Sequence, residues 1–421
     1  MKDPVRRGFN GEFGSVYADV ERSLSSTLSP KATIMSPWLT ARLLSLASHE
    51  AYRTAADDFN RDTFRDERSD SDGAIRHTTL QYMAEKWGGR IHSGFVREAS
   101  LVLGKGSVPP GGATMDGMYG AAGHSAPGEV TPEISAGIGS FNEGLDDEFR
   151  IKDRTKILDA ASALAEKEDT VCISYDGVLQ HKQRDTRSAK GKNSPRGPRK
   201  WLEIVDTSMT FRGKRAVFPA KDQREAGALS MAVAIANGLG SKKFAFFADG
   251  SKTIRNNVME VWGSHVRGYY LDPFHLQQKI DEKISLGMKA KKEEKAEMRS
   301  RLFSIIWAGN VDDFLSAVRG IQESKVKNKG ALDNLANYVD ERRDIIPCYA
   351  LRSLLGLKNS SNDAELANRT LVTQRGKNAA MSWSKEGSMA LAAITACNNA
   401  GQLESFITGN KVSLLVFKDA S

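Results

Sequence analysis

The chain has 421 residues, 40% of them hydrophobic and 27% charged, an ordinary composition for a folded protein of two or three domains. No apolar run reaches the ~18 residues of a membrane span, and the N-terminus lacks the apolar segment of a secretion signal, so we expect a cytoplasmic protein. The three cysteines stand far apart, which excludes a CxxC zinc site or a disulfide framework, and a formal net charge of +8 favours an anionic partner.

Residues 1–100 are predicted to form a helical region. Apolar residues recur at helical spacing in two stretches within 36–66, and a third, short helix is predicted over 76–88 with Thr78 as its cap. Tandem short helices favour a helix-turn-helix module that binds DNA. In that interpretation three side chains face the phosphates or bases: Gln81, Lys86 and Arg90. A helical dimerisation or scaffold domain explains the same pattern, and the pattern leaves both interpretations open.

Residues 101–150 are predicted to be a flexible linker. Their segment 104–144 is rich in Gly, Pro, Ser and Ala and has few large apolar side chains with which to build a core. Neither this segment nor the GLGSKK run near residue 240 follows a strand with the spacing of a nucleotide-binding loop. The sequence therefore does not support a Walker or Rossmann site.

An α/β pattern is predicted to form one domain from two parts of the chain, 151–280 and 346–400. After a helix that ends near 167, strands are predicted around residues 170–176, 201–211, 214–220, 242–249 and 267–272, with long helices from 224 and from 273. Antiparallel strands followed by strand–helix alternation predict a mixed, helix-covered sheet. Residues 281–345 have helix formers throughout and are predicted to be an all-helical insertion, and 401–421 a C-terminal tail.

Asp176 stands at the end of a predicted apolar strand and is followed by Gly177. An Asp-Gly pair is a common two-residue hairpin turn, and taken alone it predicts one here. The next segment is too long for such a turn, and besides one acid, Asp185, it carries these cationic residues: Lys182, Arg184, Arg187, Lys190, Lys192, Arg196, Arg199 and Lys200. Such a segment is typical of an arm that grips DNA phosphates, although a solvated loop has the same composition.

Two further aspartates follow predicted strands, and each has a structural alternative. Asp249 precedes Gly250 and could also cap the next helix. Asp272 precedes Pro273, which is the arrangement of an N-cap residue and a proline at the first helical position, and we assign it that role. His275 then lies in the first helical turn, where packing, or support of a metal ligand, is favoured over direct metal binding.

The most specific pattern lies in the run AELANRTLVTQRGKNAAMSWSKEGS, which contains Glu365. On a helix at 100° per residue, four later residues fall within about 40° of Glu365: Arg369, Val372, Gly376 and Trp383. The asparagine three residues before Glu365 also gives the spacing of a capping box, so this glutamate could instead mark a helix start. Ser384 stands where it could cap a further helix.

Together, Asp176, Asp249 and Glu365 predict a metal site. Mg²⁺ prefers oxygen ligands, and two ions about 4 Å apart can activate an attacking hydroxyl while stabilising the leaving oxygen of a phosphodiester. We therefore expect Mg²⁺ as the cofactor, with Mn²⁺ able to substitute. The neighbouring lysine and arginine side chains would offset the charge of the phosphates.

These residues resemble the DDE-type transposases of bacterial insertion sequences. In that family the last acid is a Glu followed at fixed spacings by residues that this chain matches: Arg369, Val372, Arg375, Met381, Trp383 and Ser384. The family's strand-end Asp-Gly pairs are similar to those at Asp176 and Asp249. Its Asp-x-Phe/Trp-His element is similar to Asp272–His275.

The resemblance implies an RNase H-like mixed sheet with flanking helices, an all-helical insertion and an N-terminal helix-turn-helix-like domain. It implies these roles: Asp176, Asp249 and Glu365 in catalysis and metal binding, Arg369 and Arg375 on phosphate, and Asp272, His275 and Trp383 in support. The substrates would be the element's terminal inverted repeats and target DNA, bound by a homo-oligomer in the bacterial nucleoid. Two alternatives stay open: a domesticated, non-catalytic DNA-binding protein, and an RNase H-like nuclease that cleaves without joining.

Overall fold

The structure is a computed structural model, and it describes residues 6–11, 14–19, 37–64, 75–104, 114–123, 128–183, 200–361 and 383–417. The first two of these ranges are described by their backbone alone. They form an antiparallel hairpin of two strands, β1 (Arg6–Gly11) and β2 (Gly14–Asp19).

A five-stranded mixed sheet organises the fold. Its strands are β3 (Thr170–His181), β4 (Trp201–Phe211), β5 (Lys214–Ala220), β6 (Lys243–Ala248) and β7 (Val266–Leu271). They lie in the order β5-β4-β3-β6-β7. The neighbours among β5, β4 and β3 are antiparallel, and those among β3, β6 and β7 are parallel. The predicted mixed sheet is confirmed, and its order and directions are compatible with an RNase H-like fold.

The described residues also form helices, which we number in chain order. They are α1 (Pro37–His49), α2 (Tyr52–Phe64), α3 (His77–Val102), α4 (Met115–Tyr119), α5 (Pro132–Asn142), α6 (Arg154–Ala165), α7 (Gln223–Ala236), α8 (Lys252–Trp262), α9 (Pro273–Gly287), α10 (Lys292–Trp307), α11 (Val311–Arg319), α12 (Lys329–Asp340), α13 (Tyr349–Leu354), α14 (Lys385–Asn399) and α15 (Leu403–Gly409). In the described part of the chain, none of them is both long and apolar enough to cross a membrane.

Alternation along the strands gives the sheet two different faces. On β3, the side chains of Val171, Ile173 and Tyr175 are buried in the main hydrophobic core, together with apolar residues of α7 and α8. We call this side the α7 face. Because successive side chains of a strand point to opposite sides, Ser174 and Asp176 belong to the other side, which we call the Asp176 face.

Helix α14 covers part of the Asp176 face. Its residues Ala392 and Ala396 contact Val178 of β3 and Val217 of β5 in one apolar cluster. Ser384 is the N-cap of this helix, as its position in the sequence predicts, and its hydroxyl accepts a hydrogen bond from the backbone N–H of Gly387 at 2.9 Å.

The third N-terminal helix differs from the prediction. Helix α3 continues far beyond the predicted range 76–88, because buried apolar residues recur at helical spacing to its end. Its N-cap is Arg76, so the predicted cap Thr78 lies inside the helix. A close approach to α14 fixes the helix, since a Cβ at Gly88 would come within 2.1 Å of the carbonyl oxygen of Ala390. This helix therefore packs on the rest of the molecule along its length, beyond the short unit that the sequence predicts.

Two segments with a predicted linker or tail character contain packed helices. Within 101–150, α4 and α5 bury Met115 and Ile134. Within 401–421, α15 buries Phe406, and the chain after it adds apolar side chains to the main core. A few buried apolar side chains anchor each segment. The average composition of the segment does not reveal these few residues. The domain boundaries themselves stay predictions.

Helices α9 to α12 follow β7. They contribute Ile280, Ile284, Phe314 and Leu335 to the main core, so they pack continuously with the helices of the α7 face. An isolated antiparallel bridge between Met288 and Val326 joins the end of α9 to the chain before α12. That these helices form an insertion domain stays a prediction.

Candidate functional site

Asp176 lies inside β3 and not at its end as predicted. The strand continues for five residues to His181, because Val178 and Gln180 remain buried and the ladder with β4 stays intact. The hairpin-turn alternative for Asp176-Gly177 is therefore wrong. Asp176 is instead a half-buried carboxylate on a central strand with neighbours on both sides.

Asp249 comes next to Asp176 in the parallel part of the sheet. The last pair of the parallel ladder is Ser174 of β3 with Phe247 of β6, and the same register, continued by two residues, would place Asp249 beside Asp176. Neighbouring strands lie about 4.8 Å apart. Asp249 directly follows β6 and is exposed. Both residues follow the last pair of the parallel ladder, at the edge where α/β sheets commonly bind ligands.

A tight turn holds Asp249. One carboxylate oxygen, Oδ1, accepts a hydrogen bond from the backbone N–H of Ser251 at 2.8 Å, and Ser251 rather than Asp249 is the N-cap residue of α8. Gly250 has a φ of +77°, and a Cβ there would lie 2.8 Å from Leu271 Cδ1. The turn therefore requires glycine, and it orients the aspartate without making it the helix cap.

Aromatic and cationic side chains surround the backbone of Asp249. The hydroxyl of Tyr338 donates to the Asp249 carbonyl oxygen at 3.3 Å, and the Arg342 guanidinium stacks 4.0 Å above the Tyr338 ring. Burial, followed by the negative charge of Asp249, raises the pKa of Tyr269. Burial also raises the pKa of Tyr338. Both phenols therefore stay neutral near pH 7 and add no negative charge beside Asp249.

A third aspartate, Asp206, stands on the other side of Asp176, and our sequence analysis did not single it out. It pairs directly with Asp176 in the antiparallel ladder, so both side chains lie on the same face. Asp206 is fully buried, at 0% exposure. The signal in the sequence is that Asp206 directly follows the apolar residues Ile204 and Val205 inside the strand LEIVDTSMTF, because aspartate is rarely buried unless it is paired.

Asp272 extends this row on the other side. Ala248 pairs with Leu271, and the N–H of Asp272 donates to the Ala248 carbonyl oxygen at 2.8 Å, which sets Asp272 beside Asp249. Its Oδ1 accepts from the N–H of Phe274 at 2.7 Å, so it caps α9 as the sequence predicts. Its Oδ2 accepts from the N–H and the hydroxyl of Ser361. Both oxygens of this buried carboxylate are thus engaged in holding the backbone.

The remaining described residues of the prediction lie around this row. His275 is half-buried, with its ring 6.1 Å from that of Phe274. Lys182 and Lys200 stand where the predicted arm leaves and rejoins the sheet, and the N–H of Lys182 donates to the Lys200 carbonyl at 2.9 Å. Trp383 is buried at the end of β3, where its N–H donates to the His181 carbonyl at 2.9 Å.

Several predicted residues lie outside the described residues: Glu365, Arg369, Arg375, Arg184, Arg187, Lys190, Lys192, Arg196 and Arg199. The described chain stops after Ser361, which is bound to Asp272, and resumes at Trp383, which is bound to the end of β3. One end of the segment that contains Glu365 is therefore attached at Asp272 and the other at the end of β3.

The side chains at this site are of the chemical type that the predicted cation, Mg²⁺, binds. Asp176 and Asp249 offer the carboxylate oxygens that Mg²⁺ prefers. Among the described residues, no group of three or more His, Cys, Asp or Glu side chains is arranged to hold a metal ion. A complete site would therefore need at least one further ligand from a residue outside the described ranges.

Comparisons with known proteins give little further information. No family model matches the sequence, and no curated protein matches it. Among solved structures, the chain is similar to a Drosophila P element transposase strand transfer complex at 9% sequence identity and a TM-score of 0.26. That match covers 94% of this chain and 89% of the other. A similarity at this TM-score does not establish a common fold.

Proposed function

We propose that this protein is a DDE-type transposase, which cleaves DNA at the ends of an insertion sequence and joins them to a target. The observation that carries the proposal is the parallel pairing of β3 with β6, because its register, continued by two residues beyond the last pair, would place Asp249 beside Asp176. The order of the five strands is compatible with the fold that the resemblance implies. The spacing of the residues after Glu365 supports the same assignment.

Glu365 is the proposed third carboxylate. It follows Ser361 by four residues, so chain connectivity keeps its Cα within about 14 Å of the Ser361 Cα. Ser361 is held by Asp272, whose strand neighbours the end of β6. A residue with that tether can reach the pair formed by Asp176 and Asp249, which makes it a reasonable source of the missing ligand.

In this proposal the three carboxylates hold Mg²⁺, or Mn²⁺ in its place. When bound, the metal would supply charge stabilisation at the phosphate and lower the pKa of an attacking hydroxyl. The chain contributes rigidity, because Asp176 is fixed by its ladder with β4 and Asp249 by the turn at Gly250. Arg369 and Arg375 would contact the phosphate that reacts.

DNA is the proposed partner. The cationic arm between Lys182 and Lys200 would follow the DNA backbone, since phosphate contacts supply most of the affinity for DNA. Helices α1 to α3 would bind the element ends, although Arg90 of α3 already donates to the side chain of Asn410 at 3.1 Å. Joining two ends requires at least two protein copies in the active complex, so we propose a homo-oligomer on DNA.

A strand-cleavage and joining assay tests the proposal. Labelled DNA that carries the sequences flanking the gene is incubated with wild type, with Glu365→Gln and with the control Glu404→Gln, in Mg²⁺ and in Mn²⁺. Glu404 is exposed on α15, away from the row of aspartates. We expect cleaved and joined products from wild type and the control, and none from Glu365→Gln, which should still bind the DNA.

Each alternative gives a different result in the same assay. Cleavage without joined products would identify the nuclease. Tight binding without strand chemistry in either metal would identify the non-catalytic DNA-binding protein. Full activity of Glu365→Gln would refute the assignment of the third carboxylate.

A further inference from the structure

A second site lies on the Asp176 face, near the opposite end of β3. It is a cavity of about 270 Å³ between β3, β4, β6, β7 and the chain around α13. Cys172, Ala245 and Tyr270 form part of its apolar wall. Its charged lining is mostly cationic and consists of Lys167, Arg212, Arg267, Arg352 and Lys358, against the acid Glu168.

Arg352 is the most unusual of these side chains. It is 3% exposed, and its Nη2 donates to the carbonyl oxygen of Lys358 at 2.7 Å. The guanidinium also lies 4.1 Å from the centre of the Tyr270 ring. Its Nε and Nη1 are buried with no hydrogen-bond partner among the described residues. Burying a cation is costly unless an opposite charge compensates it, so this arrangement favours an anion in the cavity.

Two of the other cations, Arg212 and Arg267, are already paired with carboxylates, Arg212 with Asp169 at 3.9 Å. Arg267 forms ion pairs with Asp159 at 3.0 Å and with Glu166 at 2.6 Å, so its charge is already balanced. Lys167 is exposed at the rim, and its Nζ would lie 3.4 Å from a Cβ added at Gly356. In the described part of the chain, no carboxylate forms an ion pair with Arg352 or Lys167. Positive charge therefore remains in excess at this site.

We propose that the cavity binds a phosphate group, with Arg352 in its wall and Lys167 and Lys358 at the entrance. Phosphate matches the site because it carries the required negative charge and accepts several charge-assisted hydrogen bonds. The volume lies just below the usual range of ligand pockets, which excludes a duplex and admits a phosphate with a small substituent. Free inorganic phosphate and the terminal phosphate of a DNA strand share this chemistry.

The test is calorimetric titration of the full chain with inorganic phosphate at constant ionic strength, with chloride as the competing anion. We expect saturable binding by wild type, and binding weakened roughly tenfold or more in Arg352→Met and Lys167→Gln, because each variant removes a charged contact. The control is Lys329→Gln, an exposed lysine of α12 that does not line the cavity. Lys167 is exposed, so its variant should fold even if Arg352→Met does not.

Competition identifies the source of the phosphate. Displacement of inorganic phosphate by a 5′-phosphorylated oligothymidylate, but not by its 5′-hydroxyl form, would assign the site to strand ends. If neither oligonucleotide displaces inorganic phosphate, the site is assigned to free phosphate. The proposal is overturned if phosphate binds no better than chloride, or if Lys167→Gln binds phosphate as tightly as wild type. No step measures strand chemistry, so the result is independent of the proposed transposase activity.

Discussion

The Asp176 face of the sheet is acidic at one end and basic at the other. At the acidic end Asp206 and Asp176 pair across β4 and β3, and Asp249 directly follows β6, whereas Arg352 and its cationic neighbours surround the cavity at the basic end. Cys172 lines the cavity only four residues before Asp176 on the same strand, a separation of about 13 Å. One rigid sheet thus supports two sites of opposite charge.

The two ends are built in different ways. At the acidic end, the backbone sets the positions, because Asp176 and Asp206 are paired in a ladder and Asp249 is held in the turn after β6. At the basic end, side chains from separate segments converge, among them Lys167 before β3, Arg212 in the turn after β4 and Arg352 on α13. Like charges at either end repel, so each arrangement is most stable with a counterion. The expected counterions are a cation at the first end and an anion at the second.

The largest effect is expected at the acidic end. Replacing Asp176 by Asn keeps the size of the side chain but removes a ligand charge, so strand cleavage should fall at least about 10³-fold while DNA binding is retained. The same change at Asp249 should do the same. Initial rates on labelled DNA, with binding measured separately by fluorescence anisotropy, check both variants.

Phosphate binding by the Asp176→Asn variant tests whether the two ends are separate sites. If the two ends are separate sites, Asp176→Asn should bind inorganic phosphate at the basic cavity as wild type does. Joint loss of cleavage and of phosphate binding would mean that the substitution disturbs the whole sheet. The two ends could then not be treated as separate sites.

Asp206 is expected to support the metal ligand beside it. Asp206→Asn is nearly isosteric and should weaken Mn²⁺ binding roughly 10- to 100-fold. This is the usual effect of losing a group that positions a metal ligand. Calorimetric titration with Mn²⁺ provides the measurement. Ser208→Ala is the matched control, because Ser208 is also buried on the Asp176 face of β4, two pairs further along the ladder. Equal metal affinity of Asp206→Asn and wild type would leave Asp206 a purely structural role.

More of the acidic end than of the basic end could be predicted from the sequence. Apolar runs ending in Asp-Gly predicted β3 and β6, the strand that contains Asp176 and the strand that Asp249 follows. The length of β3 was missed, because the residues after Asp176 alternate between buried and exposed and lack a continuous apolar run. Asp206 was missed because one acid inside a strand forms no motif. Only the ladder shows that it faces Asp176.

The basic cavity could not be predicted in this way. Its cations come from positions as far apart as Lys167 and Lys358, and their meeting depends on how the turn after α13 folds back on the sheet. The same limit applies to helix packing. The close contact of Gly88 with Ala390 joins helices about 300 residues apart, and no local pattern indicates it.

A smaller effect, on stability, should separate the aspartates of the acidic end by role. Asp272→Ala removes a helix cap and the buried acceptor for Ser361, so we expect a loss of about 3 kcal/mol in the free energy of unfolding. Asp249→Ala should cost less than about 1 kcal/mol, because its carboxylate is exposed and accepts one bond in a turn. Urea unfolding of both variants measures the difference. Similar losses would show that Asp249 is also a structural residue.

The smallest effect concerns a buried carboxylate on the α7 face, where a protein cation is already in place. Burial alone would raise the pKa of Glu225, but His92 at 2.7 Å and then Lys221 outweigh it, so the pKa lies below its usual value. A lowered pKa in the folded state stabilises the protein above the unfolded value of 4.5, and this stabilisation is lost as the pH falls through the folded value. We expect His92→Ala to cost about 2 kcal/mol at pH 7 and less in acid. Urea unfolding from pH 7 to pH 3.5 tests this, and a loss of the same size at every pH would show that His92 contributes packing rather than charge.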